Sequence, residues 1–388
     1  MDLLALLPRW LRGIRRGRAA SPAGGVDRGV ALRGAVWTGD EPVTPSFGRG
    51  VVVVGPDGRV AAVGPDAEVT VPDGVRLLGG PDAWVLPGVV DAHVHLAFGG
   101  PVTGAVVGVR DLGAPPGLYR PTPPAAREEA SRSLGRTPGA GCCAAAGPII
   151  TAPGGYPSTT WGQGGFARGV DTPEAARRLV TDLIADGVDL IKIAIEPAGG
   201  LPTPSPAVVR AVVVAAHDAG LPVTAHALSA DAVRRSLEAG VDELAHTPIE
   251  PLEAALLDQI ATAGIPVIST LQTFCAGGEG RGPLGNARAL HERGVRLVYG
   301  TDLGNGGTRP GVDPRELDRL AEIGLRREGA LLAAVSAGRH AVGLAGAPDG
   351  RIVVGAPAAL VVLPGSPLEE PSLWRAPTAV VRDGGVIT

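Results

Sequence analysis

The sequence predicts an α/β protein: a (β/α)8 TIM barrel carrying a small β-sandwich domain formed by its N- and C-terminal segments. Three observations carry that expectation. Short, apolar, β-branched runs alternate with helical stretches through the middle of the 388 residues, and eight such units fit one closed barrel. Both ends read as strands and turns. Residue types that bind metals gather where the predicted barrel strands end. The expected divisions are a disordered leader at 1–25, the sandwich at 26–87 and 346–388, and the barrel at 88–345.

Within the leader, Leu3 to Leu7 is too short an apolar run for a secretory signal, and Asp2 precedes it while Arg9 to Arg18 follow, the wrong charge order. No run reaches the roughly 18 apolar residues of a membrane span. From Val26 to Val85 the pattern is strand and turn. Val51 to Val63 reads as a hairpin, two β-runs around the turn Pro56-Asp57-Gly58. The chain returns to this style at Arg351–Val354, Ala359–Leu363 and Ala379–Ile387, so the two ends are expected to pair into one small domain.

The middle alternates. Strands are expected to end near His95, Asp111, Ile150, Lys192, His226, His246, Leu271 and Asp302. Helices are expected at about Pro124–Leu134, Pro173–Ala185, Ser205–Ala219, Ala230–Ala239, Leu252–Ala263, Gly285–Arg293 and Pro314–Ile323. The third strand is drawn through Gly139 to Ile150, where nearly every residue is small.

Composition excludes several classes. A net charge of −4 gives no reason to expect a nucleic-acid partner. Three cysteines, two of them the adjacent Cys142 and Cys143, make no disulfide framework and no zinc-finger spacing. The sum points to a cytoplasmic protein with no transmembrane segment and room for a homo-oligomer.

Lysine and arginine together number 35, and only Lys192 is a lysine. It sits in Val188-Asp-Leu-Ile-Lys-Ile-Ala-Ile195, an apolar run that reads as a buried strand. Burial disfavours the ammonium. Arginine stays charged in proteins, whereas a buried lysine can become a neutral amine. A neutral amine can add carbon dioxide and become a carbamate, an oxygen ligand able to bridge two metal ions.

His93 and His95 end the first barrel strand in Val85-Leu-Pro-Gly-Val-Val-Asp-Ala-His-Val-His95, and residues i and i+2 of a strand share a face. His226 ends the fifth strand, His246 the sixth and Asp302 the eighth. Imidazole, carboxylate and carbamate suit zinc or a similar divalent ion. His217, His291 and His340 fall within predicted helices and read as packing or surface residues, and Cys275 reads as structural.

The order of His93-x-His95, Lys192, His226, His246 and Asp302 resembles the amidohydrolase superfamily, in its dinuclear branch with a carboxylated lysine. The similarity extends to Val109-Arg-Asp-Leu-Gly113, Thr224-Ala-His-Ala227, Ala239-Gly-Val-Asp-Glu-Leu-Ala-His246 and Gly300-Thr-Asp-Leu-Gly304. Within the superfamily the chain is most similar to the imidazolonepropionase-related hydrolases, which include prolidase-like Xaa-dipeptidases. One departure stands out: Gly154-Gly155-Tyr156 occupies a place where related chains often carry Gly-Gly-His.

The resemblance implies two divalent metal ions, zinc foremost. His93, His95 and Asp302 would hold one and His226 and His246 the other, with the carbon dioxide-derived carbamate of Lys192 between them. Hydroxide activated by the pair would cleave an amide-type C–N bond of a dipeptide-like or cyclic amide, and Asp302 would shuttle the proton. Arg110, Asp111, Tyr156 and Gln272 are expected to contact a small-molecule substrate from loops after strands two, three and seven, alongside Asn305 to Arg309 after strand eight. The alternatives are a mononuclear imidazolonepropionase- or deaminase-type enzyme and a non-catalytic module on the same fold.

Overall fold

The computed structural model describes residues 29–100, 103–115, 118, 143–275, 281–338, 351–382 and 385–387. The expected leader, the expected helix Pro124–Leu134 and His340 lie outside the described residues. Among the described residues no helix is long and apolar enough to cross a membrane.

Strands β1 (Val30–Val36), β2 (Phe47–Val54), β3 (Val60–Pro65) and β4 (Arg76–Pro87) precede the barrel. Along the barrel come β5 (Val89–Val94), β6 (Val106–Asp111), β7 (Cys143–Ala145), β8 (Ile149–Thr151), β9 (Ala167–Gly169) and β10 (Ile191–Ala194). Then follow β11 (Val223–His226), β12 (Glu243–Leu244), β13 (Val267–Ile268) and β14 (Leu297–Val298). The chain ends with β15 (Leu360–Leu363), β16 (Ala379–Arg382) and β17 (Gly385–Ile387).

The two ends do share one sheet, in the order β17-β16-β15-β4-β1-β2-β3. β4 is the join: Val85 pairs with Val36 of β1 on one side and with Val362 of β15 on the other. The Val51–Val63 hairpin forms as expected, with Gly58 at φ 74° in its turn and Asp57 Oδ1 accepting from Arg59 N. Val30, Leu32, Val52, Val60, Leu360 and Val381 pack into one buried cluster, so neither end has a complete core without the other.

In the barrel, β5, β6 and β7 pair in parallel, and so do β8, β10, β11, β12, β13 and β14. The expected third strand is in two pieces. β7 pairs with β6, and β8 pairs with β10 at Ile150↔Ile193. Gly147 at φ 68° and Pro148, which has no N–H, interrupt the ladder between them. Closure is by hydrogen bonds from Ala92 N to Tyr299 O (3.1 Å), Asp302 N to His93 O (2.9 Å) and His95 N to Leu303 O (2.7 Å). Ile191, Ile193, Val223, Leu244 and Val267 are buried in the large core cluster between strands and helices.

Helices start where side-chain caps allow. Thr172 accepts from Ala175 N and Ser205 from Val208 N, each followed by a proline at the first helical position. Ser229 caps Ala230–Ala239, and Asp313 caps Pro314–Leu320.

Strand seven departs from its expected end. β13 stops at Ile268, Thr270 takes φ 43°, and Leu271 opens a short helix, Leu271–Cys275. Glu316 causes the break, because its carboxylate accepts from Leu271 N (3.0 Å) and Gln272 N (2.6 Å). Burial pushes the Glu316 carboxyl up to about 7, against those hydrogen bonds. The folded state therefore holds this proton more tightly than the unfolded chain. Its stabilising effect is complete below about pH 4.5 and is lost as pH rises through 7. Glu316→Gln removes that titration. Between pH 5 and 8 the wild type is expected to lose on the order of 2 kcal/mol relative to the variant, measured by chemical unfolding. A constant difference across that range would contradict the assignment.

Candidate metal centre and active site

Strand alternation turns His93 and His95 to one face of β5, and barrel closure brings Asp302 against them. His93 Nε2 lies 3.4 Å from His95 Nε2 and 3.3 Å from Asp302 Oδ1, and His95 Nε2 lies 3.4 Å from the same oxygen. Donor atoms bound tetrahedrally at about 2.0–2.1 Å stand roughly 3.3–3.4 Å apart, so this triangle has the spacing of ligands around one cation. Asp302 reaches it from a left-handed backbone, φ 55°, rare for a residue other than glycine. Gly300 allows the approach: a Cβ there would lie 2.4 Å from Ile268 Cγ2 and 3.1 Å from His93 Cβ.

His246 and His226 complete the ring. The His246 ring centroid is 4.5 Å from that of His93 and 4.7 Å from that of His226. One ligand atom each from His93, His246 and Asp302 lie within 4.8 Å of one another, a group able to hold a metal ion. Burial holds His93, His226 and His246 well below the usual imidazole range, so all three are neutral. His93 Nδ1 donates to Ala245 O at 2.8 Å, which leaves the Nε2 lone pair facing the cluster. His246 Nδ1 is likewise engaged, 3.0 Å from Thr270 Oγ1.

Lys192 stands on β10, 1% exposed, and its Nζ has no hydrogen-bond partner among the described residues. Burial brings its pKa down to about 7, against the pull of Asp302. Thr224 is its register partner on β11, and the Thr224 hydroxyl is also buried without a partner. Asp302 Oδ1 and His95 Nδ1 share that condition. Buried polar atoms are ordinarily satisfied. Four orphans in one cluster of neutral imidazoles, an amine and a carboxylate fit divalent cations and a small oxygen-bearing group.

The expected substrate contacts fall in different places. Tyr156 lies over the centre: its ring stacks on His226 at 4.9 Å, and its hydroxyl accepts from Trp161 Nε1 at 3.1 Å. Trp161 in turn meets His95 edge-on at 4.9 Å. Gln272 lies in the helix Leu271–Cys275 beside Phe274, whose ring is 5.3 Å from that of His246. Asp111 is turned to the backbone, accepting from Gly113 N and Leu96 N. Arg110 points into the barrel, 3% exposed, with Nε donating to Ala92 O at 3.0 Å and Nη2 to Glu243 Oε1.

Glu243 had no place in the sequence reading, although the signal was present. A charge in an otherwise apolar strand must meet its opposite within the core, and Arg110 and Glu243 sit in two such strands. The pair spans the barrel from β6 to β12 and acts electrostatically on Lys192 in opposite senses.

The fold is that of a hydrolase barrel, and the cluster at its mouth is a candidate metal site. The model of the Amidohydrolase family matches residues 84–387, so the chain belongs to that family. An uncharacterised protein of Mycobacterium tuberculosis is 27% identical over 368 residues, covering 84% of this chain and 90% of the relative. The crystal structure of a candidate prolidase from Bifidobacterium longum superposes with a TM-score of 0.77 at 26% identity, covering 93% of this chain and 94% of that one. A Xaa-Pro dipeptidase with bound methionine gives 0.76 at 22% identity over 92% and 99% of the two chains. Molinate hydrolase gives 0.72 at 20% over 93% and 94%.

Removing one half of a buried ion pair costs about 3–5 kcal/mol, whereas replacing both halves by apolar groups is far milder. Glu243→Ala is therefore expected to lose about that much in urea unfolding, and Arg110→Leu/Glu243→Leu clearly less. Equal losses in the two proteins would deny the coupling.

Proposed function

We propose that the protein hydrolyses an amide-type C–N bond in a dipeptide-like or cyclic amide, using two divalent cations, zinc by the donor set, and a carbamate formed on Lys192 from carbon dioxide. The environment of Lys192 carries this reading. Its amine is buried beside neutral imidazoles with no hydrogen-bond partner for Nζ among the described residues, and with a pKa near 7 the uncharged form that adds carbon dioxide is available at neutral pH. Arginine serves everywhere else in the chain, and a guanidinium could not do this.

His93, His95 and Asp302 would hold one cation and His226 and His246 the other, with the Lys192 carbamate between them. Bound there, the ions polarise the scissile carbonyl and lower the pKa of water. The remaining roles belong to side chains. Asp302 Oδ1, which has no donor among the described residues, takes the proton from the attacking water and returns it to the leaving nitrogen. The Ala245 carbonyl keeps His93 in its Nδ1–H tautomer. Tyr156 and Trp161 cover His226 and His95 and keep bulk water from that side of the mouth. The names of two structural neighbours, prolidase and Xaa-Pro dipeptidase, support the dipeptide-like side of the reading.

A mononuclear centre is the second reading, favoured by the compact trio His93, His246 and Asp302. Metal analysis separates the two. About two divalent ions per chain are expected in the wild type and about one in His226→Ala. One ion per wild-type chain would leave the mononuclear reading standing. His93→Ala and His95→Ala should bind less metal and lose turnover across dipeptides, N-acyl amino acids and lactams. Full activity in either variant after exhaustive chelation would end the metal-hydrolase reading.

Lys192→Arg tests the carbamate. A fixed cation beside two metal ions is electrostatically costly, and guanidinium takes up no carbon dioxide. The variant should lose metal and activity, and Lys192→Ala should regain part of both with added acetate or propionate. A dimetallic, active Lys192→Arg protein would refute the carbamate.

A further inference from the structure

A cavity of about 340 Å³ is walled by Glu196, Leu228, Ile249, Glu250, Phe274 and Pro283, and two of these residues lead toward the candidate metal ligands. The first five follow β10, β11, β12 and β13, so they belong to the C-terminal face of the barrel, where ligands bind. Leu228 is two residues beyond His226, and the Phe274 ring meets that of His246 at 5.3 Å. A group in this cavity would therefore sit beside the metal centre, as a substrate side group does. The volume lies at the lower end of small-molecule sites, roughly 300–1,000 Å³.

The lining combines apolar walls with two carboxylates, and among the described residues no basic side chain lines it. Both carboxylates are held in place. Glu196 Oε2 accepts from Leu228 N (2.8 Å), Ser229 N (2.8 Å) and Ser229 Oγ (2.9 Å). Glu250 Oε2 accepts from Ala230 N at 2.7 Å. These bonds matter for the sign of the ligand. The start of the helix Ala230–Ala239 would otherwise offer free N–H groups to an anion, but the two glutamates already occupy Leu228, Ser229 and Ala230. An incoming carboxylate would meet two like charges, with those donors spent. An incoming cation would find Oε1 of half-buried Glu196 and of exposed Glu250 engaged by no hydrogen bond among the described residues.

We propose that this cavity is a substrate subsite for an apolar stem ending in a cation, so that the enzyme prefers amides carrying an ammonium or guanidinium group on this side over neutral or acidic ones. The proposal rests on the hydrolase reading of the barrel mouth, because only there does a neighbouring cavity become a substrate subsite.

Binding tests it without turnover. The metal-loaded full chain is titrated calorimetrically with 3-phenylpropylguanidinium, 4-phenylbutan-1-ol and 4-phenylbutyrate, which share an aryl stem and differ in charge. The guanidinium is expected to bind about tenfold tighter than the alcohol, and the acid weaker than either. Glu250→Gln keeps an acceptor for Ala230 N and should bring guanidinium and alcohol within about threefold of each other, leaving the alcohol unchanged. Ile249, 39% exposed at the rim, offers a variant that spares the fold: Ile249→Lys should turn the preference toward the acid. The proposal is overturned if the acid binds wild type as well as the guanidinium does, if none of the three binds, or if the preference survives both Glu250→Gln and Glu196→Gln. Guanidinium binding with no amide cleaved would refute the hydrolase reading and leave a cation-binding cavity without a substrate role. Cleavage of neutral and acidic amides, with tightest binding of the acid, would do the reverse.

Discussion

Closure of the barrel between β14 and β5 is the contact on which the rest of the site depends. Asp302 is more than 200 residues from His93 along the chain, and the Asp302 N to His93 O bond sets them side by side. Asp91 secures the same seam from below, accepting from Thr301 Oγ1 (2.5 Å), Thr301 N (3.0 Å) and His93 N (3.2 Å). Gly300 lets the strands approach, and the left-handed turn at Asp302 aims its carboxylate at the two histidines. Strain of this kind persists only where surrounding bonds over-determine it, and here four hydrogen bonds tie together Asp91, His93, Thr301 and Asp302.

Below the seam, the barrel interior is polar where a smaller fold would be apolar. Lys192, Arg110, Glu243 and Asp91 are all buried within it. Such groups are tolerated because each is paired, neutralised or reserved for a ligand. Arg110 and Glu243 answer each other across the barrel. Asp91 is drawn toward its neutral form, its pKa pushed up to about 7 by burial. Lys192 Nζ has no hydrogen-bond partner among the described residues. The buried pair is satisfied within the barrel, whereas the buried lysine amine is not.

The mouth itself has two unlike sides. Tyr156, Trp161, Phe98 and Phe166 form a chain of aromatic contacts against His226 and His95. Opposite chemistry lies beyond His246, where Phe274 leads into the cavity with Glu196 and Glu250. Substrate entering between them would meet an edge-to-face aromatic wall on one flank and two anchored carboxylates on the other.

Much of this was legible in the residue order. The alternation of apolar runs and helical stretches determined the barrel, the two strand-rich ends determined the shared sheet, and period-two spacing placed His93 and His95 on one face. A single lysine in a β-branched run marked itself by composition alone. Other features were decided only in three dimensions. The third strand divides between two neighbours because Gly147 and Pro148 break the ladder in a stretch whose small side chains carry no periodic signal. Strand seven ends early because Glu316, over forty residues later, captures the amides of Leu271 and Gln272. Arg110 stands next to Asp111 in sequence, yet it turns inward to Glu243 and away from the loops. Local sequence determines which face a strand residue takes, whereas the partner that satisfies a buried charge comes from whichever distant strand the closed barrel sets opposite it.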